Sequence, residues 1–347
     1  PAEIGWCMRS WSDLRKAYRL RLRRRHLLWR AFRSRHGLAK RALRRPAPDA
    51  RHIYLFATMR NEATRLPHFL AHYRALGVAH FFIVENNSSD QTADLLLAEP
   101  DVSLWSTTRS YKAARFGMDW MNWLLWRYGR GHWCLTVDAD ELLVYPDHDT
   151  RPLPDLTAWL DAQGASAMGA MMLELYPKGP LSAARYQAGD DPVATLPYFD
   201  ATGYTQTALP RFHATSIRGG VRKRVFFADA PERAPHLHKT PLIRWHWRYA
   251  YLSSTHIALP QALNAALGDP ALPTGALLHT KFLDGVIQRS AEEKSRREHF
   301  TYSAAYETYY DAIIADPDLW HPDAAVYTGT AQLEQLGLIR RGALPKK

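Results

Sequence analysis

Cysteine is scarce in this 347-residue chain. Its two cysteines, Cys7 and Cys134, are too few for a disulfide framework and lack the paired spacing of a zinc site. That scarcity fits a reducing compartment. Long hydrophobic runs are missing too. No apolar stretch reaches the roughly 18 residues of a membrane span, and the opening PAEIGW lacks the charged-then-apolar order of a secretory leader. A cytoplasmic protein is expected, held at most peripherally at the inner face of a membrane. Acidic residues are nearly absent from one segment. Residues 9–45 hold 15 Lys/Arg against a single acid, Asp13, a local charge of +14. The whole chain carries only +11, so the remainder is slightly acidic, at −3. A body of that charge does not fit a nucleic-acid-binding module, which leaves any such role to the arm alone. Internal repeats are absent.

The basic segment reads as helix, with Leu14, Tyr18, Leu22, Leu27, Leu28, Phe32 and Leu43 interleaved among arginines and Gly37 as a break. A basic amphipathic helix suits an anionic membrane surface. Binding nucleic acid, or packing on the body or on a second copy in an oligomer, are the alternatives. PAPD (46–49) reads as a linker, so residues 1–48 are expected to form an arm.

From residue 52 the pattern alternates. HIYLFAT (52–58), HFFIVE (80–85), VSLW (102–105) and HWCLTVDADELLVY (132–145) read as strands. Between them lie a helix carrying Leu66, Phe69, Leu70, Tyr73 and Leu76 with Gly77 as its stop, a second running to about Ala98, and an aromatic one over 111–128. In the turn NNSSDQT, Ser88 and Gln91 have capping-box spacing. Such β-α alternation predicts an α/β protein: a mostly parallel, Rossmann-like sheet with helices on both faces and its ligand beyond the carboxyl ends of the strands. Further on, 152–163 reads as helix, 166–176 as strand, 177–260 as loop-rich and 283–315 as helical. The expected units are the arm, a body over 49–315 divided at residue 150 into a nucleotide-binding and an acceptor half, and a tail over 316–347.

The sharpest signal is Val137-Asp138-Ala139-Asp140-Glu141, where an apolar strand runs into three acids. Crowded carboxylates need a cation or hydrogen-bond donors to neutralise them. In extended chain Asp138 and Asp140 point to the same side and can share a divalent ion, with oxygen ligands favouring Mg2+ or Mn2+. Such an ion can bridge two phosphates and stabilise a charged leaving group. Elsewhere, GGVRKRVF (219–226) sets Arg222, Lys223 and Arg224 beside two glycines, as a phosphate-binding loop would. A strand with a basic face is the plainer reading. His256 and His279 each stand near apolar residues, where a satisfied core histidine is the common outcome. RWHWRYAY (244–251) suits a sugar or a phosphate as well as it suits packing.

With these motifs in place, residues 52 to about 145 resemble glycosyltransferase family 2 and its relatives with the GT-A fold. Three landmarks match in order: ATMRNE (57–62), IVENNSSDQT (83–92) and LTVDADELL (135–143). RLPHFLAHYRALGV and GGVRKRVF resemble the subgroup close to glycosyltransferase family 92. The likeness extends to about residue 310 and leaves out the arm. It implies a metal-dependent, inverting transfer of a hexosyl group from a nucleotide sugar, a UDP-sugar being favoured. The acceptor would be a glycan, a lipid-linked glycan or a protein. It implies that Thr58, Arg60, Glu62, Glu85, Asp90 and Asp138 line the donor, with Glu85 standing where the family has Asp, and that Asp140 holds the metal. Arg222 and Arg224 would meet the diphosphate. His279, ahead of His256, would be a third metal ligand. A carboxylate base is implied beyond the metal strand, with Asp200 ranked before Glu174. Glu62 and Asp90 have a plainer role open to them as helix caps. The main rival, a nucleotidyltransferase on a related sheet, calls for a glycine-rich loop after the first strand, and TMRNEATR contains no glycine. A non-catalytic scaffold is the other alternative.

Overall fold

The structure is a computed structural model and describes residues 11–44, 46, 48–296 and 303–347. Cys7, the first two residues of the basic segment and its last, and residues 297–302 of the expected C-terminal helix lie outside the described residues.

Nine strands form the central sheet: β1 (Ala39–Ala42), β2 (Ile53–Met59), β3 (Val78–Glu85), β4 (Val102–Ser106), β5 (Trp133–Thr136), β6 (Glu141–Val144), β7 (Ala167–Glu174), β8 (His238–Arg244) and β9 (Gly275–His279). Their order is β1-β4-β3-β2-β5-β8-β7-β9-β6. Strands β4, β3, β2 and β5 are mutually parallel. Strand β8 is antiparallel to both of its neighbours, while β9 is parallel to β7 and antiparallel to β6. With β1 antiparallel on the edge, six strands run one way and three the other. The expected α/β class and mostly parallel sheet are present.

Helices cover both faces. Leu66, Phe69, Leu70 and Tyr73 of α2 (Leu66–Ala75) share one buried cluster with Leu96 of α3 (Thr92–Ala98) and Leu156 and Leu160 of α5 (Leu153–Ala162). On the other face Trp120, Met121, Leu124 and Leu125 of α4 (Met118–Tyr128) meet Phe56, Phe82 and Val84. Each fully buried Leu or Phe contributes about 1.5–3 kcal/mol. Gly77 lets the chain leave α2 at φ +89°, where a Cβ would press within 2.9 Å of Pro154. A third cluster under the second half joins Leu173, Phe199, Ile217 and Phe282 to Ile313 of α7 (Ser303–Ile314), which follows α6 (Val286–Arg296), and to Leu333 of α8 (Thr330–Gln335).

Four expectations change. The run 132–145 is two strands, because the chain turns at 137–140 and re-enters the sheet at its far edge as β6. The aromatic helix begins at Met118, after turns over 111–117 and Gly117 at φ +75°. Among the described residues of the arm, α-helix covers α1 (Trp11–Ser34) and a 3-10 turn follows over Arg35–Gly37. Beyond Gly37, β1 pairs with the otherwise open edge of β4, which satisfies its backbone groups. The boundary expected at residue 48 therefore falls after a strand that already belongs to the sheet. Finally, the loop-rich span 177–260 contains β8, a central strand.

Candidate active site

The acidic turn crosses the strand ends from β5 to β6 at the far edge of the sheet. Strand β5 stops at Thr136, and Glu141 donates its backbone N–H to the carbonyl of Asp138 at 3.1 Å, closing the turn. Buried Tyr73 of α2 holds the far side, donating its hydroxyl to the Glu141 carbonyl at 2.7 Å and accepting from the Leu143 N–H at 3.1 Å. In sheet register His279 sits opposite Glu141 on one side and Glu174 on the other. Three strand ends thus bring Glu141, His279 and Glu174 to one level.

The turn overrides the alternation expected of an extended chain, and the two aspartates face different partners. Asp138 is about half exposed and accepts from Lys239 Nζ at 3.1 Å. Asp140 meets His279 Nε2 at 3.2 Å. Lys239, buried in β8, also pairs with fully buried Glu141. Burial works to lower the Lys239 pKa, yet Asp138 and Glu141 together raise it, so the lysine stays charged. Glu141 is pushed up to about 7 by burial and by Asp138 and Asp140, against the pull of Lys239. Burial opposes the charge on Asp140 as well, but His279, Arg65 and Lys281 hold its carboxyl well below the usual range. His279 is lowered by burial, with Asp140 only partly opposing.

Cations crowd the same place. Thr280 donates both its N–H and its hydroxyl to the Asp140 carbonyl, at 2.8 and 3.1 Å. Buried Arg65 donates to the Thr280 carbonyl at 3.0 Å and to Glu62 at 2.9 Å, and Arg289 reaches the same Glu62 at 3.4 Å. Lys281 is pushed down to about 8, first by burial and then by Arg222. Asp140 and Glu174 oppose that shift, so Lys281 sits where charges of both signs meet.

The basic loop is neither strand nor open loop. Residues Arg222–Phe226 form a single π-helical turn, a form that gathers at functional sites. Buried Arg222 donates through its backbone N–H to Glu174 at 3.0 Å and through Nε to the other carboxylate oxygen. Gly220, at φ +70°, lets the chain pass Glu174, where a Cβ would come within 2.9 Å of the carboxylate. Arg224 grips Asp200 with two bonds of 3.0 and 3.1 Å. Asp200 also accepts from Tyr176 and lies 3.2 Å from His321. Both carboxylates expected as the base are thus tied to the arginines expected to meet phosphate.

The residues expected around the donor mostly hold the loops after β2 and β3 together. Glu85 accepts from the Ser88 N–H. Asp90 accepts from Thr92 N at 3.0 Å and Ala63 N at 3.1 Å, so it caps α3 and clamps the neighbouring loop, while the Ser88 hydroxyl accepts from Asn61 N at 3.1 Å and makes no capping box with Gln91. Arg60 reaches the Asn86 carbonyl at 3.3 Å, and the Thr58 hydroxyl is buried beneath Gly117. His256 faces the backbone of β8, its Nδ1 2.6 Å from the His238 carbonyl. Lys239, Lys281 and Arg65 were not singled out from sequence. The visible signal for Lys239 was one lysine amid the otherwise weakly polar run HLHKTPLI.

Among the described residues no three His, Cys, Asp or Glu side chains converge into a metal-binding cluster. Asp140 and His279 nevertheless suit a divalent ion that completes its shell elsewhere. Mg2+-type ions are often held by one or two protein groups plus substrate phosphates, and a neutral imidazole keeps a lone pair to give.

No protein-family model and no curated protein matches the chain. Among solved structures it is similar to glucosyl-3-phosphoglycerate synthase from Mycobacterium tuberculosis, in complex with Mn2+, UDP and glucosyl-3-phosphoglycerate. That match has 16% identity over 38% of this chain and 50% of that one, at a TM-score of 0.23, so the chain spans about half the length of that relative. It is also similar to a putative glucose-1-phosphate thymidylyltransferase from Bacillus anthracis (8% identity, 85% and 96% of the two chains, TM-score 0.28) and to a UTP-bound UGPase from Acinetobacter baumannii (10%, 74% and 98%, TM-score 0.28). Likenesses this slight assign no residue and decide no reaction.

Proposed function

We propose that the protein is a glycosyltransferase that takes a sugar from a nucleotide-sugar donor, a UDP-sugar being favoured, with the diphosphate seated between the acidic turn and the cations around it. The observation that carries this reading is the pairing of Asp140 with His279 beside Lys281, a lysine held down first by burial and then by Arg222. A diphosphate relieves that crowding, and Arg65, Lys281 and Arg222 are placed to complement its charge. Asp140 and His279 would hold a Mn2+ or Mg2+ ion, which supplies further positive charge for the leaving diphosphate. The narrower affinity, to the subgroup near glycosyltransferase family 92, rests only on RLPHFLAHYRALGV and GGVRKRVF.

The chain's own groups have distinct tasks in this reading. Lys239 neutralises Asp138 and Glu141, so the turn stays folded when no ligand is present. Glu174 and Asp200 fix Arg222 and Arg224. Of the two, Asp200 is the better base for the acceptor hydroxyl, because its network reaches solvent through half-buried His321 while Glu174 is enclosed. Inversion follows from attack on the face opposite the departing diphosphate.

Calorimetry with UDP and Mn2+ tests the reading. The wild-type chain is expected to bind UDP, and to bind it more tightly with the metal. Asp140→Asn is expected to abolish the metal's contribution, and Lys281→Gln to weaken UDP itself by about tenfold, as for the loss of one charge-assisted bond. Equal UDP affinity in all three proteins overturns the proposal. A screen of nucleotide sugars by thermal shift then identifies the donor, since a bound ligand raises apparent stability.

A further inference from the structure

The arm helix packs one face on the body and leaves an apolar stripe on the other. Leu20, Leu27 and Ala31 are buried, the two leucines against Ala250 and Leu259. Arg30 anchors the same side, donating to Asp119 at 2.7 and 3.0 Å. At about 100° per residue, Trp11, Leu14, Tyr18, Leu22, Trp29 and Phe32 fall within an arc of about 80° facing away from Leu20 and Leu27. All six are exposed, from 44% at Leu22 to 81% at Trp11. Exposed Arg15, Arg19 and Arg33 flank the stripe on one side and Arg21 on the other, while exposed Arg25 falls within it. At the Phe32 end the stripe runs into a cavity of about 700 Å³ whose walls include Trp126, Arg127 and Trp247.

We propose that this stripe is a membrane-docking surface and that its occupant is a bilayer containing anionic lipid. An interfacial helix buries an apolar face at the boundary of headgroups and acyl chains while basic flanks meet the lipid charge. Tryptophan and tyrosine belong at that depth, and arginines on either edge reach outward to the headgroups. Charge complementarity selects this occupant. A second copy would bring the same arginines face to face, with Asp13 the single acid in residues 9–45 to offset them. Arg24 is already held below its ordinary value by partial burial and by Arg21 and Arg248. RNA would use the arginines and aromatic rings, but Leu14 and Leu22 offer a base no stacking face. The docking is independent of the reaction proposed above.

Vesicle sedimentation of the full chain tests it. Vesicles of equal parts phosphatidylglycerol and phosphatidylcholine are expected to carry the protein down, and vesicles of phosphatidylcholine alone to leave most of it in solution. The variant Tyr18→Ser/Leu22→Ser/Trp29→Ser is expected to lose at least about tenfold in partitioning, given the apolar area removed. Its far-ultraviolet circular dichroism and unfolding midpoint should be unchanged, because none of the three side chains packs in the core. Arg21→Gln/Arg25→Gln is expected to weaken binding and to flatten its salt dependence. Should the serine variant unfold, quenching of wild-type tryptophan fluorescence by brominated lipid decides in its place. Undiminished binding of a folded serine variant overturns the proposal, as does failure of the wild type to bind anionic vesicles. So do a concentration-dependent dimer that the serine substitutions abolish and salt-sensitive binding to duplex RNA that displaces the vesicles.

Discussion

The two halves of the central sheet handle charge differently. In the half built from β2 to β5, charge stays out of the strand interiors, with Glu85 at the end of β3 and buried Asp119 on α4 paired to Arg30 and Arg115. Arg74 takes Glu99 and Asp101 in a partly exposed fork, and Asp90 spends its carboxylate on backbone N–H groups. In the half built from β6 to β9, charge is carried into the sheet. Lys239 with Glu141 and Arg222 with Glu174 are buried pairs, and His279 lies at the end of a buried strand. Burying an ion pair adds little net stability, because desolvation offsets the attraction. It does fix the positions of its members, and a binding site needs that. The first half thus keeps its strands free of buried ion pairs, and the second gathers them at the junction.

Removing one charge from each half makes the comparison measurable. Lys239→Met is expected to lower the unfolding free energy by about 3–5 kcal/mol in denaturant titrations, since Glu141 is left buried without its partner. Relaxation by protonating Glu141, already at about 7, places the loss toward the lower end. Arg74→Ala, in the first half, is expected to cost less than about 1 kcal/mol, as exposed pairs do. Equal losses would erase the distinction between the halves.

The same contrast explains what could be read from sequence. Strands β2 to β4 and helices α2, α3 and α5 follow regular apolar spacing bounded by Pro and Gly, so their order was legible. The acidic turn was legible as a place but not as a geometry. Apolar residues on both sides of it, Leu135 and Leu142, made one long strand out of two that lie far apart in the sheet. Strand β8 was hidden because Pro241 stands inside it. A proline within a sheet is confined to edges and bulges, and the β8–β7 register does shift between Lys239 and Leu242. With β8 unread, Lys239 had no reason to be placed beside Asp138. The arm's strand β1 was lost in a run of arginines that favours helix.

Buried histidines sharpen the comparison along the pH axis. His80 in β3 and His238 in β8 are each pushed down to about 4 by burial, from about 6.5 when exposed. Both folded values lie below the unfolded ones, so between pH 6.5 and 4 the unfolded chain binds protons that the folded chain does not. Stability is therefore full above pH 6.5 and falls as pH drops toward 4. For His238 the loss is on the order of 2–3 kcal/mol. The two differ in their partners. His80 Nε2 lies 2.9 Å from the Ser103 hydroxyl, whereas neither ring nitrogen of His238 has one. Guanidinium titrations at pH 8 and pH 5 are expected to show that His238→Leu flattens the pH dependence at no cost at pH 8. His80→Leu should flatten it too, but at a cost of about 1 kcal/mol for the broken bond.

Asp90 is the smallest test and bears on the limit of the resemblance. Its carboxylate bridges the Thr92 and Ala63 N–H groups, so both oxygens are engaged within the protein. Two of its roughly four acceptor sites are taken, which fixes the carboxylate's orientation on the loop backbone and away from a nucleotide base. Asp90→Ala is expected to cost about 1 kcal/mol of stability, the usual worth of a helix N-terminal cap, and to change UDP affinity by less than about threefold. Thermal melts and calorimetry on the same variant separate the two effects. A fall in UDP affinity of tenfold or more with an unshifted melt would mean that Asp90 exchanges its backbone partners for the base when the donor arrives. The first half would then share in recognition, and the division of labour between the halves would fail.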